Sequence, residues 1–379
     1  MSEWKTYKLS ELVEIKYGKD HKHLVDGEIP LYGSGGIMRY VDTPLYEQES
    51  ILIPRKGTLS NLFYLNIPFW SVDTMFYTKI KAGNNGKYLY YLLKSMDLAS
   101  MNVGSAVPSL TTEVLNKVEI NVPDEATQKE IAQILSSLDD KIELNLQMNQ
   151  TLEAMAQALF KEWFVNFNFP NFDGELQNDL PKGWRMGSLS EIISFVVDNR
   201  GKTPNTLIEK ENNYPLIEVN SLINSRVVTQ QHLAKKYVDD ETYNNWFRKG
   251  HPQKGDVLFS TVGSIGEISL VFDEKFCIAQ NIIALRSTFN GSFLFFTLKN
   301  LKQSLLSLDI SSVQPSIKVP HLLKSEILIP NEEIIKAYEE SILPIIEKIN
   351  ENSIQIQTLT QTRDTLLPKL MTGKIEIRN

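Results

Sequence analysis

Gly33-Ser34-Gly35-Gly36 is the stretch of this sequence most like a phosphate-binding loop, and its chemistry fails. No Lys-Ser/Thr pair follows to reach a terminal phosphate, and G-x-G-x-x-G is incomplete. An Asn/Asp-Pro-Pro-Tyr/Phe methyltransferase motif occurs nowhere. Pro123-Asp124 with Lys129 holds the ingredients of a nuclease carboxylate–lysine cluster, but an Asp at that place is better used capping a helix. The five histidines stand beside no nucleophile motif, and only His21 and His23 are close, which leaves a triad assembled in space as the open case. Cys277 is the only cysteine, so an internal disulfide and a Cys-based zinc site are excluded. What turn-rich segments do carry is cationic: Arg55-Lys56, Arg200-Gly201-Lys202, Lys235-Lys236 and Arg248-Lys249. Such knots bind rather than catalyse.

The elements that must position these residues are written twice. Pro108-Ser109-Leu110 reappears at Pro315-Ser316-Ile317, an offset of 207, as do Ile120–Pro123 at 327–330 and Lys141-Ile142 at 348–349. Trp4 with Leu9-Ser10-Glu11-Leu12 reappears at Trp184 with Leu189-Ser190-Glu191-Ile192, an offset of only 180. The drift means that the second copy carries a longer loop-bearing part. Each copy contains short β-rich runs, Ser50–Ile53 and Met75–Thr78 in one, Asp256–Phe259 and Asn281–Leu285 in the other. Each also has two amphipathic helix candidates, Leu9–Ile15 and Tyr88–Met101, then Leu189–Val196 and Phe293–Leu306.

From about 125 to 164 the periodicity is helical, with Ile131, Leu135, Leu138, Ile142, Asn145, Asn149, Leu152, Ala156 and Leu159 in alternating steps of four and three. The same seam shifted by 207 runs from Tyr338 to Leu366 and is again mostly apolar. A ~40-residue helix is roughly 60 Å long. If a pseudo-twofold relates the halves, the two helices run antiparallel and Asn145 meets its equivalent Asn352, a buried pair that fixes register. The alternative is that both amides face solvent. Pro344 predicts a kink or a new helix start, and Pro368 limits the last turn. The aromatic run Phe160, Trp163, Phe164, Phe167, Phe169 and Phe172 is expected to dock on the following globule rather than to stack bases. The implied division is a globule at 1–122, a long helix at 123–165, an aromatic linker at 166–183, a globule at 184–330, and a second helix with its tail at 331–379.

The formal charge is −7, with acids concentrated at 124–143 and 332–351, along the helices. This tells where nucleic acid would not lie. No run approaches the ~20 apolar residues of a membrane span, and no signal peptide follows Met1, so the expected location is the cytoplasm.

The order of globule, long helix, globule, long helix resembles the specificity (S) subunit of type I restriction-modification systems. The marks are Leu366-Leu367-Pro368-Lys369-Leu370-Met371-Thr372-Gly373-Lys374-Ile375, Gln128–Ala132, Leu159–Phe164, Leu180–Trp184 and Arg200-Gly201-Lys202-Thr203-Pro204. The resemblance implies an α/β (α+β) fold: two target recognition domains in a pseudo-twofold arrangement, separated by two long antiparallel coiled-coil helices. It implies a DNA-binding, non-catalytic subunit in host defence against foreign DNA. Each domain would read one half of a bipartite asymmetric site in double-stranded DNA. The helices would set the spacing and dock two methyltransferase (M) subunits and, through M, restriction (R) subunits. No cofactor is expected here; S-adenosylmethionine, ATP and magnesium would sit on partner subunits. The competing reading is a coiled-coil scaffold presenting two protein-binding domains.

Base edges are read by Arg, Lys, Asn and Gln on loops, and phosphates by Lys, Arg, Ser, Thr and backbone amides. The candidates are Ser34, Arg39, Arg55, Lys56 and Ser105 in the first half, and Arg200, Lys202, Asn220, Ser221, Thr261 and Ser264 in the second. The repeated Ser105–Ser109 and Ser311–Ser316 loops either touch DNA or merely return the chain to its helix.

Overall fold

The computed structural model describes residues 4–102, 108–199, 201, 203–223, 227–307 and 315–375. The chain divides into two compact units, Met1–Ile142 with Thr358–Asn379, and Glu143–Gln357.

In the first unit β1 (Lys5–Lys8) leads into a one-turn helix α1 (Leu9–Leu12), then β2 (Val13–Tyr17), β3 (Asp26–Gly33) and β4 (Gly36–Val41). There follow β5 (Ser50–Pro54), β6 (Phe63–Leu65), β7 (Trp70–Ser71), β8 (Met75–Ile80), α2 (Gly86–Lys94), α3 (Thr112–Asn116) and β9 (Glu119–Val122). Strands order as β2-β8-β5-β6 in one sheet and β4-β3-β7 in another, and β1 pairs with β9. The central strand β5 is buried throughout, which is why its sequence is a continuous apolar run rather than an alternating one. Alternation still sorts the residues: Ile51 and Ile53 join one core with Phe76, Leu89 and Leu92, whereas Leu52 joins the other with Leu31, Met75 and Tyr77. The first core is closed by Ile131 and Leu135 of α4 (Glu125–Phe164) and by Leu370 and Met371.

The second unit repeats the plan. Its strands are β10 (Leu176–Gln177), β11 (Leu180–Pro181), β12 (Arg185–Ser188), β13 (Ile193–Val197), β14 (Tyr214–Ile217) and β15 (Lys236–Val238). After α5 (Asp240–Asn245) come β16 (Val257–Ser260), β17 (Ile268–Leu270), β18 (Cys277–Ile278) and β19 (Ile282–Ser287). The unit closes with α6 (Gly291–Asn300), α7 (Lys302–Leu306), α8 (Val319–Leu323), β20 (Glu326–Ile329) and the start of α9 (Glu332–Met371). Sheets β13-β19-β16-β17 and β15-β14-β18, and the pair β12-β20, match those of the first unit strand for strand. Even β3·β7 and its counterpart β14·β18 are both parallel.

The helix candidates at Leu9–Ile15 and Leu189–Val196 shrink to single turns, Leu9–Leu12 and Leu189–Ile192. Leu9 and Leu12 satisfy a helical spacing, and Glu11 accepts a bond from the Lys8 amide at 2.6 Å. Beyond them Val13–Tyr17 and Ile193–Val197 become strands paired with β8 and β19. Ladder pairing there overrides a helix too short to hold by itself. Tyr88–Met101 likewise divides, α2 ending at Lys94 and a separate 3-10 turn following at Leu98–Met101.

Both long helices are continuous over 40 residues, α9 passing through Pro344. No new helix begins at that proline, which is exposed; on that side water can reach the carbonyl its ring deprives of a donor. In the second unit the helix segments run antiparallel. Asn145 donates to Gln355 at 3.2 Å, Asn352 donates to Asn149 at 2.9 Å, and Phe160 and Phe164 pack on Tyr338. Asn145 and Asn352 are each 1% exposed, so neither faces solvent. The expected Asn145–Asn352 pairing is corrected: Asn352 meets Asn149, four residues or one helical turn further on. Bulky Phe160, Trp163, Phe164 and Tyr338 at one end set the longitudinal fit, and the amides settle on the neighbours that this fit provides. In the first unit the charged seam residue Arg363 pairs with Asp139 at 2.6 Å, and Tyr91 donates to the same carboxylate at 2.7 Å. Phe160, Trp163 and Phe164 are buried, and Phe169 stacks on Trp184. Among the described residues no helix is long and apolar enough to cross a membrane.

Candidate nucleic-acid interface

In the first unit three candidates come together around one loop. Ser34 sits at the β3–β4 turn, and its carbonyl accepts from Asn61 Nδ2 at 2.6 Å. Gly57 has φ +93°, and a Cβ there would lie 3.3 Å from Ser34 Oγ, so this crossing favours glycine. Lys56 forms a bridge with Ser109, and the Gly57 amide donates to the Pro108 carbonyl at 3.1 Å. Arg55 lies over the Tyr17 ring at 5.3 Å and donates to the Asp73 carbonyl. The result is a surface with two cations, an exposed Tyr17 and the polar Ser34–Asn61 pair. Arg39 belongs elsewhere. It pairs with Asp26 at 2.9 Å and donates to the carbonyls of His21 and Leu24, so its guanidinium stitches the 21–26 loop to β4. Ser105 lies outside the described residues.

The corresponding loop of the second unit keeps the backbone and changes the side chains. Gly263 donates to the Pro315 carbonyl at 3.0 Å, Val262 bridges Ser316, and Ile317 donates to the Thr261 carbonyl as Leu110 does to that of Arg55. Arg55 and Lys56 are thus replaced by Thr261 and Val262. Thr261 is 0% exposed and its hydroxyl bonds the Asn281 carbonyl, so it presents nothing to a ligand. Ser221 is also buried, whereas Asn220 in the same turn and Ser264 are exposed. For Thr261 the cause is visible: just past the end of β16, its small hydroxyl finishes backbone hydrogen bonding rather than facing solvent. Arg200 and Lys202 lie outside the described residues, but Gly201 between them lines an open cleft of about 510 Å³ with Asp198, Asn199, Asn245, Trp246, Arg248 and Lys249.

A family model for the type I restriction modification DNA specificity domain matches residues 1–154 and again 181–363. The chain belongs to that family.

This specificity subunit is 28% identical over 311 residues to the type I restriction enzyme MjaIX specificity subunit of Methanocaldococcus jannaschii, covering 78% of this chain and 71% of that one. It is 28% identical over 335 residues to the HindI specificity subunit of Haemophilus influenzae, covering 71% of each. Its fold matches the crystal structure of the type I restriction-modification S subunit from M. genitalium with a TM-score of 0.68, at 16% identity over 97% of this chain and 96% of that chain. Cys277 is fully buried, and burial pushes its thiol up to about 12, so it is no nucleophile at neutral pH. Among the described residues no three His, Cys, Asp or Glu gather as metal ligands.

Sequence reasoning missed Asn61, Tyr17 and Trp246. The first is an ordinary polar residue in sequence, and the aromatics look like core residues until their exposure, 51% for Tyr17 and 41% for Trp246, is known. The proximity of two cations was the only available signal for either ring.

Proposed function

We propose that each unit reads one half of a bipartite, asymmetric site in double-stranded DNA, while the long helices set the spacing and dock two methyltransferase subunits. Restriction subunits join through those, and S-adenosylmethionine, ATP and magnesium belong to the partners. The observation that supports this best is one scaffold repeated with different loop chemistry: Arg55-Lys56 in one copy stands where Thr261-Val262 stands in the other. Related scaffolds with unlike contact residues suit two unlike half-sites, because base edges are distinguished by side-chain donors and acceptors. Acidic helix faces suit a protein partner better than phosphate.

The test is co-expression with the neighbouring methyltransferase subunit in a methylation-free host, followed by sequencing for modified adenines. One asymmetric motif with a fixed gap, absent without this chain, is the expected result. Exchanging residues 1–122 for those of another specificity subunit should alter one half of the motif only. A soluble complex that leaves no motif would refute the reading.

A further inference from the structure

The second unit's contact loop has lost its cations, yet the unit has gained chain elsewhere. Three connections have grown, and two of them meet in one place. Between β2 and β3 the first unit uses residues 18–25, and the second uses 198–213 between β13 and β14. Between β4 and β5 the first uses 42–49, and the second uses 239–256, including α5, between β15 and β16. Each of these two has grown from eight residues to sixteen or more. Among the described residues, the seven that line the 510 Å³ cleft all come from these two enlarged segments.

The cleft is built rather than incidental. Asn199 accepts from the Lys249 amide at 3.0 Å and donates to the Gly250 carbonyl at 2.9 Å, clamping one enlarged segment to the other. Gly250 has φ +72°, which turns the chain directly after Lys249. Phe247 is buried and anchors the stretch, while Trp246, Arg248 and Lys249 on either side are exposed. Among the described residues neither cation makes an ion pair, and Asp198, the carboxylate on the wall, is already engaged with a partner. An indole and two cations are thus presented outward on a turn that Asn199 holds in place.

We propose that this inserted cleft is where the second unit grips duplex DNA, Arg248 and Lys249 taking phosphates and Trp246 packing on the sugar–base edge beside them. The proposal rests on the DNA-reading function given above and moves the second unit's main contact away from the loop that serves the first. Arg and Lys on a clamped turn are suited to phosphate, and a flat indole to an unpolar nucleotide face.

The test uses the full chain in complex with its methyltransferase subunit and a duplex carrying the motif found for the wild-type complex. Affinity is read by fluorescence anisotropy across a salt series. Arg248→Ala with Lys249→Ala should flatten the log–log salt slope by about 1.8, at ~0.9 for each phosphate left without its cation. Trp246→Ala, which removes one packed interface aromatic, should weaken binding roughly tenfold with little change in slope. The control is Lys182→Ala with Lys324→Ala, two exposed lysines of the same unit outside the cleft and outside both enlarged connections, which should leave the slope in place. If the cleft variants bind like wild type, or the control falls as far as they do, the cleft is not where DNA binds and the proposal is overturned while the DNA-reading function stands. If the wild-type complex yields no motif, that function fails and the proposal falls with it.

Discussion

Replacing Glu339 by Gln should remove a pH dependence that the wild-type second unit carries between about pH 4.5 and 7. The carboxyl is 8% exposed and sits among the aromatic and aliphatic side chains where α9 meets α6. Its oxygens accept from the amides of Asn290 at 3.0 Å and Phe293 at 3.5 Å, at the start of α6. Burial outweighs those bonds and pushes its pKa up from the ordinary 4.5 to about 7. Below pH 4.5 the group is protonated in both folded and unfolded chains. Between 4.5 and 7 the folded chain holds more of the proton, so stability falls as pH rises, and above 7 the loss is complete. Two and a half pH units at about 1.4 kcal/mol each give a loss of roughly 3.5 kcal/mol. Denaturant unfolding of the wild type and Glu339→Gln, at intervals from pH 4.5 to 8, isolates this one group because every other titration is common to both. The difference between them should shift by about 3.5 kcal/mol in favour of Gln as pH rises, with slowed exchange of the Asn290 and Phe293 amides. Parallel stability curves would refute the reasoning, because they would mean that the helix-start amides fully compensate the charge.

Asn149→Leu leaves Asn352 buried without its partner and should cost about 1–3 kcal/mol in unfolding experiments. Asn149→Leu with Asn352→Leu should recover most of that, and a double-mutant cycle reads the coupling. Asp256, 1% exposed, holds Arg286 through two bonds of 2.9 Å. Either Asp256→Ala or Arg286→Ala should lower stability by about 3–5 kcal/mol, with intermediate behaviour in a thermal melt if the second unit comes apart first. Arg55→Ala with Lys56→Ala should weaken DNA binding and flatten its salt slope, whereas Thr261→Val should leave the methylated motif intact while costing about 1 kcal/mol of stability. Methylation sequencing beside a melt separates the two effects.

The repeat was legible in the residues because each copy needs the same apolar strands, the same Pro-Ser return and the same helix seam. The steps of four and three along α4 also placed a long helix between Glu125 and Phe164 without reference to anything else. What the residues did not reveal was which partner each seam amide would take. Asn145 and Asn352 are equivalent in sequence, but longitudinal fit is set by bulky side chains such as Phe160 and Tyr338, and it moved the meeting to Asn149. The binding residues divided along the same line. Arg55 and Lys56 fell on one loop with Ser34, since a cationic pair in a turn tends to stay in water. Thr261 and Ser221 read equally well as loop donors and were buried; Thr261 bonds the Asn281 carbonyl, and a hydroxyl is cheap to bury once backbone satisfies it. Local periodicity and residue chemistry are short-range properties, and they fixed the elements and the types of contact. Register, burial and the convergence of Asp198, Asn199 and Gly201 with residues 245–249 into one cleft depend on long-range packing, and only the tertiary structure decided them.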